Sequence, residues 1–316
     1  MDKLLVSVVI RTLNEERYLE ELLASIKVQE SDLFDIEVVL VDSGSTDNTL
    51  PIAKSYNCRI TYIKKSEFTF GRSLNIGCEF ANGDFLVFIS GHCIPCDKSW
   101  VENLVKPLVE TCDYTYGRQL GRDTTKFSER QLFLKYFPEK SSIPQEGFFC
   151  NNANSALRKD VWEQFKFDEQ LTGCEDMYLA KDIVAKGGLI GYVAEAGVYH
   201  IHDESWKNVQ IRYEREAIAL QKIMPQVHVS VQDMIKYIVV GIVKDVKISI
   251  KKNVFFKEIY SIIRFRVAQY YGAYKGNHIN RKLSQQMKLK YFYPRVTDMK
   301  VTTEYKEVKG SEECQK

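Results

Sequence analysis

The sequence predicts an α/β fold, in which helices flank a mostly parallel sheet and a helical appendage follows. Over the first ninety residues, short runs rich in Val, Ile and Leu alternate with segments whose apolar residues recur at a helical period. Such repeated βαβ units imply parallel strands with right-handed crossovers. After about Ser205 the alternation gives way to long amphipathic segments with basic and aromatic residues. The 316 residues suffice for one large domain and an appendage.

Individual elements follow from these patterns. We expect strands at 5–10, 36–41, 60–63 and 85–89, and helices at 15–28, 46–56 and 71–81. Residues 112–157 are less regular and rich in Tyr, Phe and Gly, whereas residues 161–192 return to helix and strand. We therefore divide the chain into a domain at 1–205, a helical, basic and amphipathic appendage at 206–296, and a flexible tail at 297–316.

The charges are unevenly distributed along the chain. Between Lys236 and Arg295 there are 14 Lys and Arg residues against Asp245 and Glu258, a local net charge of +12 in a chain whose total is +2. Basic amphipathic helices can lie on an anionic membrane surface, and we expect such a surface as a partner. The alternative is an appendage that packs on the domain, with its lysines as a solvated face. No nucleic-acid-binding motif is recognisable, so we expect no nucleic-acid partner.

The cysteines and the N-terminal segment bear on localisation. Eight cysteines at irregular spacings do not resemble a disulfide framework. Arg11 ends the short apolar run at 4–10, which is too short for a signal peptide, and no stretch approaches the roughly 20 apolar residues of a spanning helix. We therefore expect a cytoplasmic protein, peripheral at the inner face of the cell membrane.

Parallel strands direct attention to the loops at their carboxyl ends, where ligands of such sheets bind. These loops are residues 11–15, 42–47 and 90–97. Asp42 directly follows the second strand and could accept hydrogen bonds from a nucleobase imide, while Ser45 or Thr46 caps the next helix. A capped turn without any ligand would explain the same residues.

Five sequence blocks follow each other in a fixed order. The first block is VVIRTLNEE at 8–16 with VLVDSGSTD at 39–47, and the second is FGRSLNIG at 70–77 with NGDFLVFIS at 82–90. The others are NNANSALR at 151–158, Glu175-Asp176, and HIH at 200–202. In this order the blocks resemble the family 2 glycosyltransferases of the GT-A fold, which is a Rossmann-like mixed sheet. The resemblance covers roughly residues 5–205.

The resemblance implies a nucleotide-sugar-binding catalytic domain and a hexosyltransferase activity. The enzyme would move a sugar with inversion from a UDP- or dTDP-linked donor to a hydroxyl of a growing, lipid-linked surface glycan such as O-antigen or capsule. The alternative is a non-catalytic sugar-nucleotide-binding or scaffold protein of the same fold. A dehydrogenase is disfavoured because no G-x-G-x-x-G follows the first strand.

The resemblance also implies roles for single residues. Asp176 is expected to be the general base, although an acidic residue also suits the first turn of a helix. Glu175 is expected to position the acceptor, and Trp206 either packs in the core or forms an acceptor platform. The residues expected to bind the nucleotide sugar are Thr12, Asn14, Glu15, Asp42, Arg72, Ser90 and Gly91.

A divalent cation is expected because no glycine-rich loop is present to hold the diphosphate. The family's DXD position reads Ser90-Gly91-His92, so an imidazole replaces the usual carboxylate. Imidazole favours Mn²⁺ over Mg²⁺, and we expect His92 and His202 as metal ligands, with His200 as the alternative to His202. Two other interpretations are a direct hydrogen bond from His92 to the diphosphate, and a zinc site at His92, Cys93 and Cys96.

Overall fold

A computed structural model describes residues 3–29, 31–279 and 290–292 of the chain. The expected tail at 297–316 lies outside the described residues, as do residues 280–289 and 293–296 of the appendage. The strands are β1 (Leu4–Thr12), β2 (Phe34–Asp42), β3 (Arg59–Tyr62), β4 (Phe85–Ser90), β5 (Cys93–Pro95), β6 (Tyr114–Leu120), β7 (Asn154–Arg158) and β8 (Ile190–His200). The helices are α1 (Glu16–Lys27), α2 (Thr49–Ser55), α3 (Phe70–Phe80), α4 (Trp100–Glu110), α5 (Phe127–Tyr136), α6 (Lys159–Phe165), α7 (Glu175–Ala185), α8 (Trp206–Ile223), α9 (Val231–Lys251) and α10 (Phe255–His278).

One mixed sheet contains all the named strands, in the order β3-β2-β1-β4-β7-β6-β8-β5. The first four strands in this order pair in parallel, and β8 is parallel to β6. The pairs β4·β7, β6·β7 and β5·β8 are antiparallel. The predicted mixed, mostly parallel α/β sheet is confirmed, and the four predicted strands correspond to β1–β4.

Two apolar layers cover the faces of the sheet. Alternation along β1 sends Val6, Val8 and Ile10 to the layer that includes α1, α2 and α4. Val9 faces the opposite layer, which includes α3, α6 and α7. Because both faces are buried, the strands read as continuous apolar runs in the sequence.

Two local predictions are wrong. Residues 112–157 are more regular than predicted, since they contain β6, α5 and most of β7. Strand β6 lies between β7 and β8, and its tyrosines belong to the apolar layer that includes α3, α6 and α7. The second helix begins at Thr49 rather than Thr46, and neither Ser45 nor Thr46 caps it. Both residues instead bond to the loop after β1, where the Asn14 amide donates to Ser45 Oγ and Asn14 Oδ1 accepts from the Thr46 amide.

The predicted C-terminal helices are confirmed as α8, α9 and α10. Helices α8 and α10 approach closely because α10 has Gly272 and Gly276 at the contact, where a Cβ would lie 2.3 and 2.1 Å from carbonyl oxygens of α8. A buried ion pair joins α9 to α10, in which the Arg266 guanidinium donates to both carboxylate oxygens of Asp245 at 2.7 and 2.8 Å. Among the described residues, no helix has the length and apolarity needed to cross a membrane.

Candidate active site at the carboxyl ends of the strands

The Asp42 carboxylate organises the loop that follows β2. It is fully buried, and parallel register places it opposite Thr12 of β1. One oxygen accepts from the amides of Gly44 and Ser45 at 2.8 and 2.9 Å. The other accepts from the hydroxyls of Ser45 and Thr12. Gly44 has φ +95°, which favours glycine at this turn. The chain itself therefore supplies four donors to Asp42, and a nucleobase imide could bond to this carboxylate only by replacing one of them.

The loops after β1 and β4 meet beside this turn. Asn14 has φ 57°, and its amide and side chain both bond to the loop after β2. Glu15 lies against the segment after β4, because a Cβ on Gly91 would be 2.9 Å from Glu15 Cγ. Glu15 Oε1 is also 3.4 Å from His92 Nδ1. The structure thus brings Thr12, Asn14, Glu15, Asp42 and Gly91 to one edge of the sheet.

The two remaining residues expected to bind the donor, Ser90 and Arg72, lie in different surroundings. Ser90 ends β4 and pairs in register with Arg11 at the end of β1, so it lies at the same edge. Arg72 lies on α3 with its side chain 44% exposed, and its guanidinium is 3.8 Å from Glu67. The Arg72 guanidinium thus faces an exposed acidic residue that precedes α3.

Asp176 lies in the first turn of α7 and is buried. Its carboxylate accepts hydrogen bonds from the amides of Asn152 and Met177, each at 2.7 Å. Ala153 follows Asn152, and its carbonyl accepts from the Ser90 amide at 3.4 Å. Asp176 therefore lies next to the segment after β4. The neighbouring Glu175 has its Oε1 3.3 Å from the Arg11 guanidinium.

The environment of Asp176 suits proton transfer near neutral pH. Burial, reinforced by the negative charge of Glu175, raises the pKa of Asp176 to about 7. The two amide hydrogen bonds and Arg11 act in the opposite direction. A carboxyl with a pKa near the working pH is present as a base and still accepts a proton readily.

Three histidines converge where β5 and β8 pair. Cys93, which follows His92, is in register with His200. The ring centroids of His200 and His202 are 4.0 Å apart, and His92 lies 5.3 and 5.8 Å from them. One ring nitrogen from each of the three lies within 4.8 Å of the others. His200 and His202, between which the sequence left a choice, are thus both close to His92.

Each of these imidazoles is held through its Nδ1 atom. His200 Nδ1 lies 2.7 Å from Gln119 Oε1, His202 Nδ1 lies 2.8 Å from Glu129 Oε1, and His92 Nδ1 faces Glu15. Burial, with the neighbouring imidazoles, holds the pKa of His200 well below its usual range, so this ring is neutral. An imidazole whose Nδ1 is engaged in this way can present Nε2 to a metal, which is the arrangement found around metal-binding histidines.

The donor set fits a divalent cation of the Mn²⁺ or Zn²⁺ type better than Mg²⁺. The zinc alternative at His92, Cys93 and Cys96 is not supported. Cys93 is part of the apolar core, where burial raises the pKa of its thiol, and Cys96 is exposed. Among the described residues, His92 groups with His200 and His202 as possible metal ligands and with neither cysteine.

The residues that hold His202 in place were not predicted from the sequence. Arg212 of α8 donates to Glu129 of α5 at 2.6 Å and to Glu204 at 3.0 Å. Although burial opposes ionisation, Arg212 and His202 hold the pKa of Glu129 at about 2. Glu129, His202 and Glu204 could together hold a cation, but Arg212 already supplies the positive charge there. No local pattern connects residues so far apart in the chain.

Trp206 begins α8 and is partly buried. The Lys126 ammonium lies 5.3 Å from the centroid of its ring, and Tyr260 packs edge-on at 6.5 Å. The ring also packs against Val209 and Phe265. Trp206 thus packs against its neighbours. The exposed part of its side chain lines a cavity, together with Lys126.

The mixed sheet, with polar loops gathered at the carboxyl ends of β1, β2 and β4, defines a GT-A glycosyltransferase. Residues 7–165, half of the chain, match the model of glycosyl transferase family 2. This chain belongs to glycosyl transferase family 2 and is thus a sugar-transferring enzyme.

Solved structures show the same fold at low sequence identity. The mannosyltransferase PcManGT from Pyrobaculum calidifontis, solved with GDP-Man and Mn²⁺, is 18% identical and superposes with a TM-score of 0.57 over 86% of this chain and 74% of that one. Glucosyl-3-phosphoglycerate synthase from Mycobacterium tuberculosis is 22% identical, with a TM-score of 0.53 over 69% and 79% of the two chains.

Curated relatives include two O-antigen enzymes. The O-antigen chain rhamnosyltransferase RfbN from Salmonella typhimurium is 27% identical over 66% of this chain and 70% of its own length. The O-antigen chain rhamnosyltransferase WbaN from Salmonella anatum is 31% identical over 56% of this chain. The match spans 60% of WbaN, which is less than two thirds of that relative.

The contacts of His202 generate a prediction about metal affinity. Glu129→Gln keeps the shape of the side chain but weakens the acceptor that orients His202, so Mn²⁺ affinity should fall about 10–100-fold. Isothermal titration calorimetry on the full chain measures this effect directly. Glu139→Gln, which alters an exposed ion pair with Arg118, is the matched control and should leave the affinity unchanged. Equal Mn²⁺ affinity in the Glu129 variant and the wild type would show that this network does not support a metal site.

Proposed function

We propose that this enzyme transfers a sugar, with inversion, from a UDP- or dTDP-linked donor to a hydroxyl of a lipid-linked surface glycan such as O-antigen or capsule. The observation that carries the proposal is the buried Asp176, with its raised pKa, beside the loops that end β1 and β4. Further support comes from the relatives RfbN and WbaN, which are named as O-antigen chain rhamnosyltransferases. A Campylobacter jejuni relative, 23% identical over 54% of this chain, is named for a PP-undecaprenol-linked acceptor.

In this proposal Asp176 accepts the proton of the acceptor hydroxyl as that oxygen attacks the anomeric carbon. The bond between this carbon and the diphosphate oxygen breaks, and the nucleoside diphosphate leaves with the electron pair. One displacement inverts the configuration. Glu175, fixed by Arg11 at 3.3 Å, positions the acceptor next to the base.

The loops after β1, β2 and β4 would bind the donor. Asp42 holds the turn at 42–46 in shape, and Thr12, Asn14 and Glu15 connect that turn to the segment of Ser90 and Gly91. For Arg72 we retain a role near the base or the phosphates as a proposal, which requires its side chain to leave Glu67.

A divalent cation would be held by His92 and His202, with His200 as their third neighbour. Mn²⁺ suits these donors better than Mg²⁺. When bound, the cation neutralises the negative charge that the leaving diphosphate develops. Direct hydrogen bonding from His92 to the diphosphate remains the alternative for this residue. The boundary near residue 205 between catalytic domain and appendage is also part of this proposal.

The second candidate is a sugar-nucleotide-binding protein without turnover. The observation in its favour is the imidazole of His92 where the family commonly has a carboxylate. The buried Asp176 with a pKa of about 7 favours the enzyme, because a binding protein gains nothing from a carboxyl tuned in this way.

Replacing Asp176 distinguishes these candidates. Asp176→Asn should bind nucleotide but lower turnover by about 10²–10⁴-fold, because the amide cannot accept the proton. The base works as a carboxylate, so wild-type kcat/KM should fall as pH drops below about 7, and the variant should lack this dependence. Asp35→Asn, with a side chain 71% exposed, serves as the control. Turnover of Asp176→Asn within a few-fold of wild type would remove this residue from the mechanism.

We further propose that α9 and α10 dock this enzyme on the anionic inner face of the cell membrane. The exposed surface of α9 combines apolar and basic side chains. Ile235, Val239 and Ile250 are 54%, 54% and 56% exposed, and Lys244 and Lys247 lie on the same helix. At the start of α10, Phe256 is 93% exposed. Such a surface combines apolar insertion with attraction to anionic lipid.

Vesicle co-sedimentation tests this docking. The full chain should sediment with anionic vesicles at low salt, because each Lys or Arg near the surface contributes about 1 kcal/mol. Release should be partial at high salt, since screening within roughly 8–10 Å weakens the charges but leaves apolar insertion. Lys244→Gln with Lys247→Gln should lower binding, whereas Lys3→Gln at the other end of the chain should not. Failure of the wild type to bind anionic vesicles at low salt would overturn the proposal.

A further inference from the structure

Two adjoining cavities form a cleft between the loop before α5, α5 itself and the turn that joins α9 to α10. Their volumes are about 460 and 390 Å³, and both are lined by Arg130, Lys257 and Glu258. We call this feature the α5–α10 cleft. It is separate from the loops at the carboxyl ends of β1, β2 and β4.

The charged groups of the cleft favour an anion. It is lined by four cations, Lys126, Arg130, Lys252 and Lys257, against two acids, Asp123 and Glu258, a net charge of +2. Within the described part of the chain, the side chains of Arg130, Lys252 and Lys257 form neither ion pairs nor hydrogen bonds. Lys126 donates to the carbonyl of Glu204 at 2.6 Å. Arg130, Lys252 and Lys257 line one cavity together with a single acid, Glu258. The cations there outnumber the acid, and an anion between them would offset their mutual repulsion.

Apolar side chains line the same cavity as these three cations. They are Leu120, Phe127, Phe133, Leu134 and Val254. Phe256, almost fully exposed, begins the apolar surface of α9 and α10 two residues further on. The cleft therefore offers cations and apolar side chains next to each other, close to the surface proposed to meet the membrane.

One residue that lines the cleft also packs on the histidine cluster. The Phe133 ring lies 5.9 Å from that of His200 and 6.2 Å from that of His202. Trp206, which also lines the cleft, follows His202 by four positions in the chain. A molecule in the cleft would therefore contact a side chain that packs directly on the proposed metal ligands.

We propose that the α5–α10 cleft binds a prenyl diphosphate, the anionic end of a lipid-linked acceptor. The diphosphate lies among Arg130, Lys252 and Lys257, and the prenyl chain lies along Phe127 and Leu134 towards the exposed side of α10. This inference rests on the proposed function, since it names the lipid carrier of the acceptor and its subsite. A free phosphate would use the cations alone, and a phospholipid headgroup would supply a single phosphodiester, so the test separates these sources.

Binding of farnesyl diphosphate to the full chain tests the proposal. Calorimetry in EDTA and without nucleotide sugar keeps the measurement independent of metal and of sugar transfer. Farnesyl diphosphate should bind more tightly than inorganic pyrophosphate or farnesol, because only it contacts both the cations and the apolar side chains of the cleft. Arg130→Gln with Lys257→Gln should raise its Kd at least about tenfold, the effect of losing charge-assisted hydrogen bonds. Lys244→Gln with Lys247→Gln removes the same charge outside the cleft and should change Kd less than about twofold.

Several outcomes would overturn the proposal. One is unchanged affinity in the Arg130 and Lys257 double variant. Another is pyrophosphate or soluble dihexanoyl phosphatidylglycerol binding as tightly as farnesyl diphosphate, which would indicate a free-phosphate or headgroup site. If the double variant does not fold, Lys252→Gln at the edge of the cleft gives the same comparison. Lost turnover in Asp176→Asn together with weak farnesyl diphosphate binding to the wild type would contradict this subsite alone. Near wild-type turnover in Asp176→Asn together with tight farnesyl diphosphate binding would contradict the proposed function and not the subsite.

Discussion

A buried ion-pair network joins α5, α8 and the segment between β8 and α8. Glu129 comes from α5, Arg212 from α8 and Glu204 from the segment between β8 and α8, and the carboxylate of Glu129 also orients His202. Removing one member of a buried pair leaves an uncompensated charge, which costs about 3–5 kcal/mol. The C-terminal helices are therefore fixed to the sheet at the same point where the histidine cluster forms. A displacement of α8 would change the position of Glu129 and therefore the orientation of His202.

This connection gives the C-terminal helices a place in the proposed chemistry. Helix α8 also contacts the segment before α7, since the Arg215 carbonyl accepts from the Thr172 hydroxyl three residues before Glu175. Helix α10 packs on α8 through Gly272 and Gly276, and α9 is held to α10 by Asp245 and Arg266. The surface proposed to meet the membrane is thus connected by rigid packing to the site proposed to transfer sugar.

Local patterns in the sequence predicted the first half of the fold. Continuous apolar strands and helical periods located β1–β4 and α1–α3, because each depends on neighbouring residues. Asp42 was singled out because it directly follows a strand, whereas His92 and Asp176 were expected from the resemblance to the family. The same resemblance predicts that Arg72 lies near the donor; its side chain lies 3.8 Å from Glu67, and its role stays a prediction.

Contacts between residues far apart in the chain could not be predicted from local sequence patterns. Nothing near Glu129 or Arg212 in the sequence indicates that they meet, since 83 residues separate them. The regular structure within 112–157 was missed because β6 is stabilised by pairing with β7 and β8, which come later in the chain. The four donors to Asp42 also depend on Thr12, a residue of another strand.

In the proposed reaction, one displacement forms the new linkage and Asp176 is the base. Proton NMR of the first product formed from the nucleotide sugar that the enzyme turns over tests this mechanism, because the anomeric coupling constant reports the configuration. The newly formed linkage should have the anomeric configuration opposite to that of the donor. Retention of the donor configuration would contradict it, since retention requires a second displacement or another mechanism in which Asp176 is not the base.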